Sequence, residues 1–441
     1  WSRTYTDNPA SATFANNDGN VAVERYTEGV YVGYRYFDSF GVEPAYPFGY
    51  GLSYTDFALS GAHAALEGET LTAQVTVTNT GACAGREVVQ LYVSAPETEL
   101  EMPAQELKGY AKTAELAPGA AETLTIAVPL RRLCSYHEGK EAWILSAGDY
   151  RVRLGTSSRS TAPLCVLRVA QTQLAERVYT ELPVTETLTE ISHVGSASAL
   201  DDRGWDAVPV FPVTAELETI DSRSPYHNQH VTTYTTDPDY RPVMPYETVE
   251  QVPAQQLRLA DVLAGRVRME DFVAQLSAEQ MSRINCGTGW GVADEKNPVV
   301  GGSSESVPGA AGETPRDYED SFGIPSLVVA DGPAGVRVAQ TYMATDVVTG
   351  ERRECHHFCT CWPAGTLLAQ SFDPALLEAV GRGIAEELAE LRVAILLGPG
   401  INIHRDPFCG RNFEYYSEDP LLAGDCAAAM TRGMQSLPGT G

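Results

Sequence analysis

The 441-residue sequence carries its densest group of chemically capable side chains near its carboxyl end. Between Asn402 and Asp419 stand His404, Arg405, Asp406, Arg411, Asn412, Glu414, Tyr415, Tyr416 and Glu418, more polar and aromatic groups than a plain connection requires. Arg411 is the candidate for ligand contact, because a forked, permanently charged donor beside aromatic rings suits a ligand with several hydroxyl or carboxylate oxygens. Glu414, three positions on, reads first as the carboxylate that braces Arg411 rather than as a reacting group. A second acid, Asp331, opens the run Asp331-Gly332-Pro333-Ala334-Gly335-Val336-Arg337 behind an apolar stretch. At the end of a strand it would form part of a site floor; the plainer alternative is that it caps the turn. Asp331 and Arg411 are 80 positions apart, so only the fold can bring them to one mouth.

The elements that must position these residues follow from the pattern around them. Residues 393–397 form a short apolar run stopped by Gly398-Pro399-Gly400, which predicts a strand buried on both faces with the polar loop above it. Ser417-Glu418-Asp419-Pro420 predicts a helix start, running to about Gln435. Residues 324–329 predict the strand that ends at Asp331, and residues 374–391 an amphipathic helix outside the sheet. Strand, loop and helix in succession are the start of a (β/α)8 TIM-type barrel or another parallel α/β fold, where ligands sit at the carboxyl ends of strands. About 190 residues do not complete such a barrel, which would leave the sheet open. Near Arg258, two short amphipathic helices are expected to hold Leu263, Val267, Phe272 and Leu276, followed by a Gly/Ser/Pro-rich surface loop over residues 299–315. Cys355, His356, His357, Cys359 and Cys361 match none of the usual zinc spacings, so no metal site is assigned.

Upstream the period changes to two. Residues 71–78, 88–93, 123–128 and 150–154 alternate or read as short strands at regular spacing, which predicts an immunoglobulin-like or fibronectin type III-like β-sandwich over residues 54–168. Trp143 and Tyr136 are expected as core aromatics, with a sugar-binding surface as the alternative. Residues 1–53 hold an aromatic and β-branched run at 24–37 and a Pro/Gly/aromatic loop at 45–54, and their rings are expected to need cover from outside the chain. Residues 169–250 read as a linker, with His227 and His230 as solvated loop residues.

A formal net charge of −27 repels phosphate backbones and anionic lipids, which argues against nucleic acid and membrane partners and favours an uncharged ligand. No Gly-rich loop opens a helix with a suitable Lys, which argues against a phosphate-binding enzyme. No run reaches the length of a membrane span, and residues 1–20 lack a signal-peptide profile. Nine cysteines, an odd number spread along the chain, favour a reducing, cytoplasmic setting. The opening at Trp1 in mid-pattern reads as a fragment of a longer protein.

Four stretches together resemble glycoside hydrolase family 3, the β-glucosidase group, in the permuted order with the sandwich first and the barrel last: YVGYRYFD with YPFGYGLSY at 31–54, NTGACAGREVVQLYV at 79–93, DGPAGVR at 331–337 and GPGINIHRDPFCGRNFEYYSEDP at 398–420. The resemblance implies a multidomain chain. Residues 1–53 would be the tail of an α/β sandwich domain, 54–168 the fibronectin type III-like sandwich, 169–250 the linker and 251–441 the first part of the TIM-type barrel. It further implies retaining hydrolysis of β-linked glucosides or similar oligosaccharides without a cofactor. Asp331, Arg337 and Arg411 would bind the terminal sugar, and Glu414 would orient Arg411. The family's nucleophile stands in a Ser-Asp-Trp-type motif on a later strand, and no such motif follows Arg411; its acid/base Glu lies on the α/β sandwich domain. No residue here is therefore assigned as catalytic. A non-catalytic carbohydrate-binding or scaffold protein that kept the fold is the alternative reading.

Overall fold

The structure, a computed structural model, describes residues 2–179, 188–223, 256–289 and 302–437. His227 and His230 lie outside the described residues.

The alternating pattern around residue 71 becomes the strand Thr70–Asn79, in which Leu71, Ala73, Val75 and Val77 all face inward. It pairs antiparallel with Phe57–Glu67 on one side and Ala121–Pro129 on the other. Facing this three-stranded sheet is a five-stranded one, in the order Val210–Val213, Ser160–Val169, Gly148–Ser157, Val88–Ser94 and Glu106–Lys112. Val89, Leu91, Val93, Val152 and Leu154 supply its side of the shared core. Two facing sheets, antiparallel except at the Val210–Val213 edge, are the expected sandwich. A smaller sheet, Ile220–Asp221, Gln173–Arg177, Ala142–Leu145 and Ser135–His137, flanks it. There Tyr136 and Trp143 face each other across the ladder with ring centroids 5.8 Å apart. Trp143 is 42% exposed, so the pair is not the core pair the sequence suggested.

The described residues of the supposed linker are more ordered than its composition implied. Gln173–Arg177 extends the small sheet, and Val210–Val213 adds a parallel edge strand to Ser160–Val169. Between them, Ile191 N–H bonds to the Thr27 carbonyl and Ala199 N–H to the Asp38 carbonyl, which straps the segment over residues 27–38. Each piece is a single short strand, too brief to show a period of its own.

Residues 2–56 contain no strand; they form short turns and one helix, Tyr34–Ser39. Contrary to expectation, its rings are covered from within the chain. Tyr34 and Phe37 are buried, and Phe48 stacks on Tyr34 and meets Phe372 edge-on. Tyr46, Tyr50, Leu52 and Tyr54 do remain exposed.

In the second half, three short helices rather than two, Leu259–Leu263, Met269–Ala274 and Ala278–Cys286, join Tyr318 and Phe322 in a small core, with Leu263 left exposed. The expected surface loop at 299–315 is packed through its described residues: Val307 and Ala310 are buried, and Gly312–Glu313 pairs with Val328–Asp331. Val328–Asp331 runs parallel to Ile395–Leu397, with Asp331 opposite Leu397. Among the described residues Ile395–Leu397 is an edge of this sheet, so only Leu396 is buried while Leu397 is 50% exposed. That corrects the strand buried on both faces. Leu377, Val380, Ile384 and Leu388 form the buried stripe of the helix Pro374–Leu391, which Asp373 caps. It packs on the helix Pro420–Met434 at close range: a Cβ on Gly381 would lie 2.4 Å from the Met430 carbonyl, and one on Gly433 2.2 Å from that of Glu378.

Candidate functional site

Asp331 ends its strand where the chain must turn. Its Oδ1 accepts the Gly332 N–H at 2.9 Å, its carbonyl accepts the Arg337 N–H at 2.8 Å, and its Oδ2 accepts from Arg337 Nη1 at 3.3 Å. Gly332, at φ +127°, tolerates this only without a side chain, since a Cβ would sit 1.8 Å from the Gly335 carbonyl. The acid thus caps the turn and still presents a side chain 43% exposed, beside Arg337 at 51%.

The neighbouring loop leaves the adjacent parallel strand and lies against this turn, with Gly398 next to Pro333. Its 3-10 turn Asn412–Glu414 follows Arg411 directly. The Arg411 Nε donates to the buried Glu414 carboxylate, while the Arg411 side chain as a whole is 68% exposed. Among the described residues its two terminal nitrogens have no protein partner, so they face solvent as paired donors. Glu414, by hydrogen bond and charge, holds the Arg411 pKa above its ordinary value; Tyr415 and then Asp331 act in the same direction. The structure places the Asp331–Arg337 pair and the Arg411–Glu414 pair on the loops that follow two adjacent parallel strands.

The inner side of the loop is held by His404, which the sequence placed in the polar loop without a role, and by Thr366, which it did not single out. His404 Nε2 donates toward the carbonyls of Asn412 at 2.9 Å and Tyr415 at 3.2 Å, and the Thr366 hydroxyl reaches the same two carbonyls at 2.7 and 2.9 Å. Burial lowers the His404 pKa, only partly offset by those carbonyls, so the ring works as a neutral donor. Thr366 is 46 and 49 positions from these partners, and nothing in its own surroundings signals the contact.

Several polar groups of the loop turn away from the site. Arg405 is taken up by Glu28 and Glu24. Glu418 accepts the Tyr34 N–H at 3.0 Å, and Asp419 accepts the Tyr34 hydroxyl at 2.8 Å while capping its helix at Leu422 N–H. The expected Ser cap is thus Asp419, with Ser417 supporting it through the Asp419 N–H. Much of the polar density near 402–419 holds segments together rather than a ligand. Among the described residues no group of three or more His, Cys, Asp or Glu side chains could hold a metal ion, and no helix is long and apolar enough to cross a membrane.

Comparison with known proteins fits this division of the chain. Residues 87–158 match the fibronectin type III-like domain, and residues 296–438 match the glycosyl hydrolase family 3 N terminal domain. Beta-glucosidase A of Butyrivibrio fibrisolvens is 36% identical over 458 residues, covering 98% of this chain and 50% of that protein. A beta-glucosidase of Ruminococcus albus is 32% identical over 440 residues, covering 98% of this chain and 40% of its own length. The crystal structure of a beta-glucosidase from Paenibacillus barengoltzii aligns with a TM-score of 0.72 at 33% identity, over 98% of this chain and 43% of that one. The chain is multidomain, joining a fibronectin type III-like domain to a glycosyl hydrolase family 3 N terminal domain. Along its length it is similar to the β-glucosidases of glycoside hydrolase family 3. It spans about half the length of the curated relatives it matches.

Proposed function

We propose that the chain is the sugar-gripping part of a retaining β-glycosidase that hydrolyses β-linked glucosides or similar oligosaccharides. In this reading residues 251–441 are the first part of a (β/α)8 barrel in the permuted domain order, behind the tail of an α/β sandwich domain at 1–53, the β-sandwich at 54–168 and a connector at 169–250. Asp331 accepts from hydroxyls of the terminal sugar, Arg337 and Arg411 donate to its oxygens, and Glu414 fixes the Arg411 fork. Charged donors and acceptors of this kind hold hydroxyls by charge-assisted hydrogen bonds, and those that strengthen in the transition state raise the rate. The nucleophile and the acid/base are carried outside these residues. No step here asks for a metal or cofactor.

The observation that supports the reading is that Asp331 and the donors of Arg411 left without a protein partner stand exposed on loops that follow two adjacent parallel strands. The test is kinetic. In the full-length protein Asp331→Ala and Arg411→Ala should each lower kcat/KM for an aryl β-glucoside by more than tenfold, as loss of charged transition-state contacts requires. Near-unchanged values for both variants would reject the assignment. Sugar binding without turnover by the unaltered full-length protein would point to a carbohydrate-binding scaffold instead.

A further inference from the structure

Arg405 is the most heavily bonded side chain of the 402–419 loop, and its partners come from the opposite end of the chain. Its Nε donates to Glu28 Oε1, and its Nη2 lies 3.3 Å from Glu28 Oε2. Nη1 donates to Glu24 at 2.6 Å, Nη2 to the Arg25 carbonyl at 3.0 Å, and the guanidinium lies 3.9 Å from the centroid of the Tyr26 ring. Glu28 is 1% exposed and Arg405 12%, so this pair is screened little by solvent. A guanidinium so committed keeps at most one N–H, on Nη1, for a ligand.

Hydrogen bonds run from Arg405 to the proposed subsite through the next six residues. The Asp406 carbonyl accepts the Cys409 N–H at 3.1 Å and Asn412 Nδ2 at 2.7 Å, and the Asp406 carboxylate accepts the Phe408 N–H at 2.9 Å. The Cys409 carbonyl accepts the Asn412 N–H at 3.2 Å, and Phe408 packs its ring 4.4 Å from that of Tyr5. These linked turns end at Arg411. Because His404 and Thr366 grip the inner side independently, loosening the outer anchor shifts the turns without releasing the loop as a whole.

We propose that Glu28, assisted by Glu24, is a positioning residue for the sugar subsite: by holding Arg405 it fixes the 406–411 turns and so the place of the Arg411 fork. The inference rests on the subsite reading above. A misplacement of about 1 Å at a binding group costs on the order of a hundredfold in rate, so a remote anchor can have a kinetic effect of that scale.

The experiment is a double-mutant cycle on kcat/KM for an aryl β-glucoside in the full-length protein, with melting temperatures taken alongside. Glu28→Gln is expected to lower kcat/KM tenfold or more. The same change made in an Arg411→Ala background should add less than twofold, because the group through which it acts is gone. Equal factors in both backgrounds would mean a general structural role, and a Glu28→Gln variant within twofold of wild type would mean no role; either overturns the proposal. If Glu28→Gln fails to fold, the more exposed Glu24→Gln is compared in the same two backgrounds. A drop of about threefold that disappears with Arg411→Ala supports the proposal, and any other pattern overturns it. An unaffected Arg411→Ala removes the subsite reading and this inference together. A costly Arg411→Ala with neutral Glu28→Gln and Glu24→Gln removes this inference alone.

Discussion

Arg411 and Arg405 lie six positions apart in one loop, and their surroundings give them opposite tasks. Both pair with a glutamate, but Arg411 keeps two donors in solvent while Arg405 spends every one of its nitrogens on the protein. His404 shows a third outcome, a ring held neutral by burial so that it can donate to two carbonyls. Its folded-state pKa lies below the ordinary 6.5. The unfolded chain therefore takes up the proton more readily, and the stability His404 contributes is present above that pH and lost as pH falls through the folded value. Amide exchange at Glu414 and Tyr415, corrected for intrinsic rates, should accelerate in wild type as pH drops from 7 to 5. His404→Gln, which can donate but not titrate, should flatten that extra acid dependence; an unchanged profile in the variant would assign it to other groups.

Among the elements, those with strong periodicity were legible. Alternation foretold Thr70–Asn79 with its inward Leu71, Ala73, Val75 and Val77, and the apolar stripe foretold Pro374–Leu391. The strand ends that carry Asp331 and the loop of Arg411 were legible from apolar runs broken by Gly and Pro. Where stability comes from distant partners the local pattern was silent: Val210–Val213 is a strand because Ser160–Val169 offers it an edge, and Glu24, Glu28 and Thr366 have no nearby signal of their tasks. Trp143 misled because size and aromaticity suggest burial, whereas its strand turns it outward. The helix Pro420–Met434 offers a test of buried charge at an element's start. Burial raises the Asp419 pKa, with Arg35 next and opposing. A raised folded-state pKa makes the folding contribution larger at low pH and lost as pH rises through the folded value, so at pH 7 the ionised acid is a burden. Asp419→Asn keeps a capping acceptor and should melt at or above the wild-type temperature at pH 7, by a few degrees at most. That gap should close as pH falls into the carboxylate range; a lower melting temperature for the variant at pH 7 would show that attraction to the nearby Arg35 charge outweighs burial.

At the scale of the molecule, one hydroxyl joins three parts of the chain. Tyr34 donates to Asp419 at the start of the last helix and accepts the Leu107 N–H of the sandwich, each at 2.8 Å, while the Tyr34 N–H itself bonds to Glu418. Gly33 makes this approach possible, since a Cβ there would lie 2.4 Å from the Glu418 carboxyl carbon. Lys112 adds a bond to the Ser371 carbonyl at 2.7 Å, and Phe372 inserts beside Tyr110 and Phe48. Tyr34→Phe leaves a buried N–H and a buried carboxylate oxygen without a partner, at about 1 to 3 kcal/mol each. We expect a loss of about 2 to 4 kcal/mol in urea unfolding, seen as a lower midpoint at unchanged slope. A loss under about 0.5 kcal/mol would mean that water replaces the hydroxyl without penalty.

The Tyr34–Asp419 contact spans 385 positions, and the Arg405–Glu28 contact spans 377. On a ribosome adding about 5 to 20 residues per second, Glu28 and Tyr34 wait on the order of tens of seconds before these partners exist. Until then Tyr34 and Glu28 cannot reach their final neighbours, whereas the sandwich between can already close on itself. Nascent chains should therefore show early protease resistance in the sandwich and late protection around Glu28 and Tyr34.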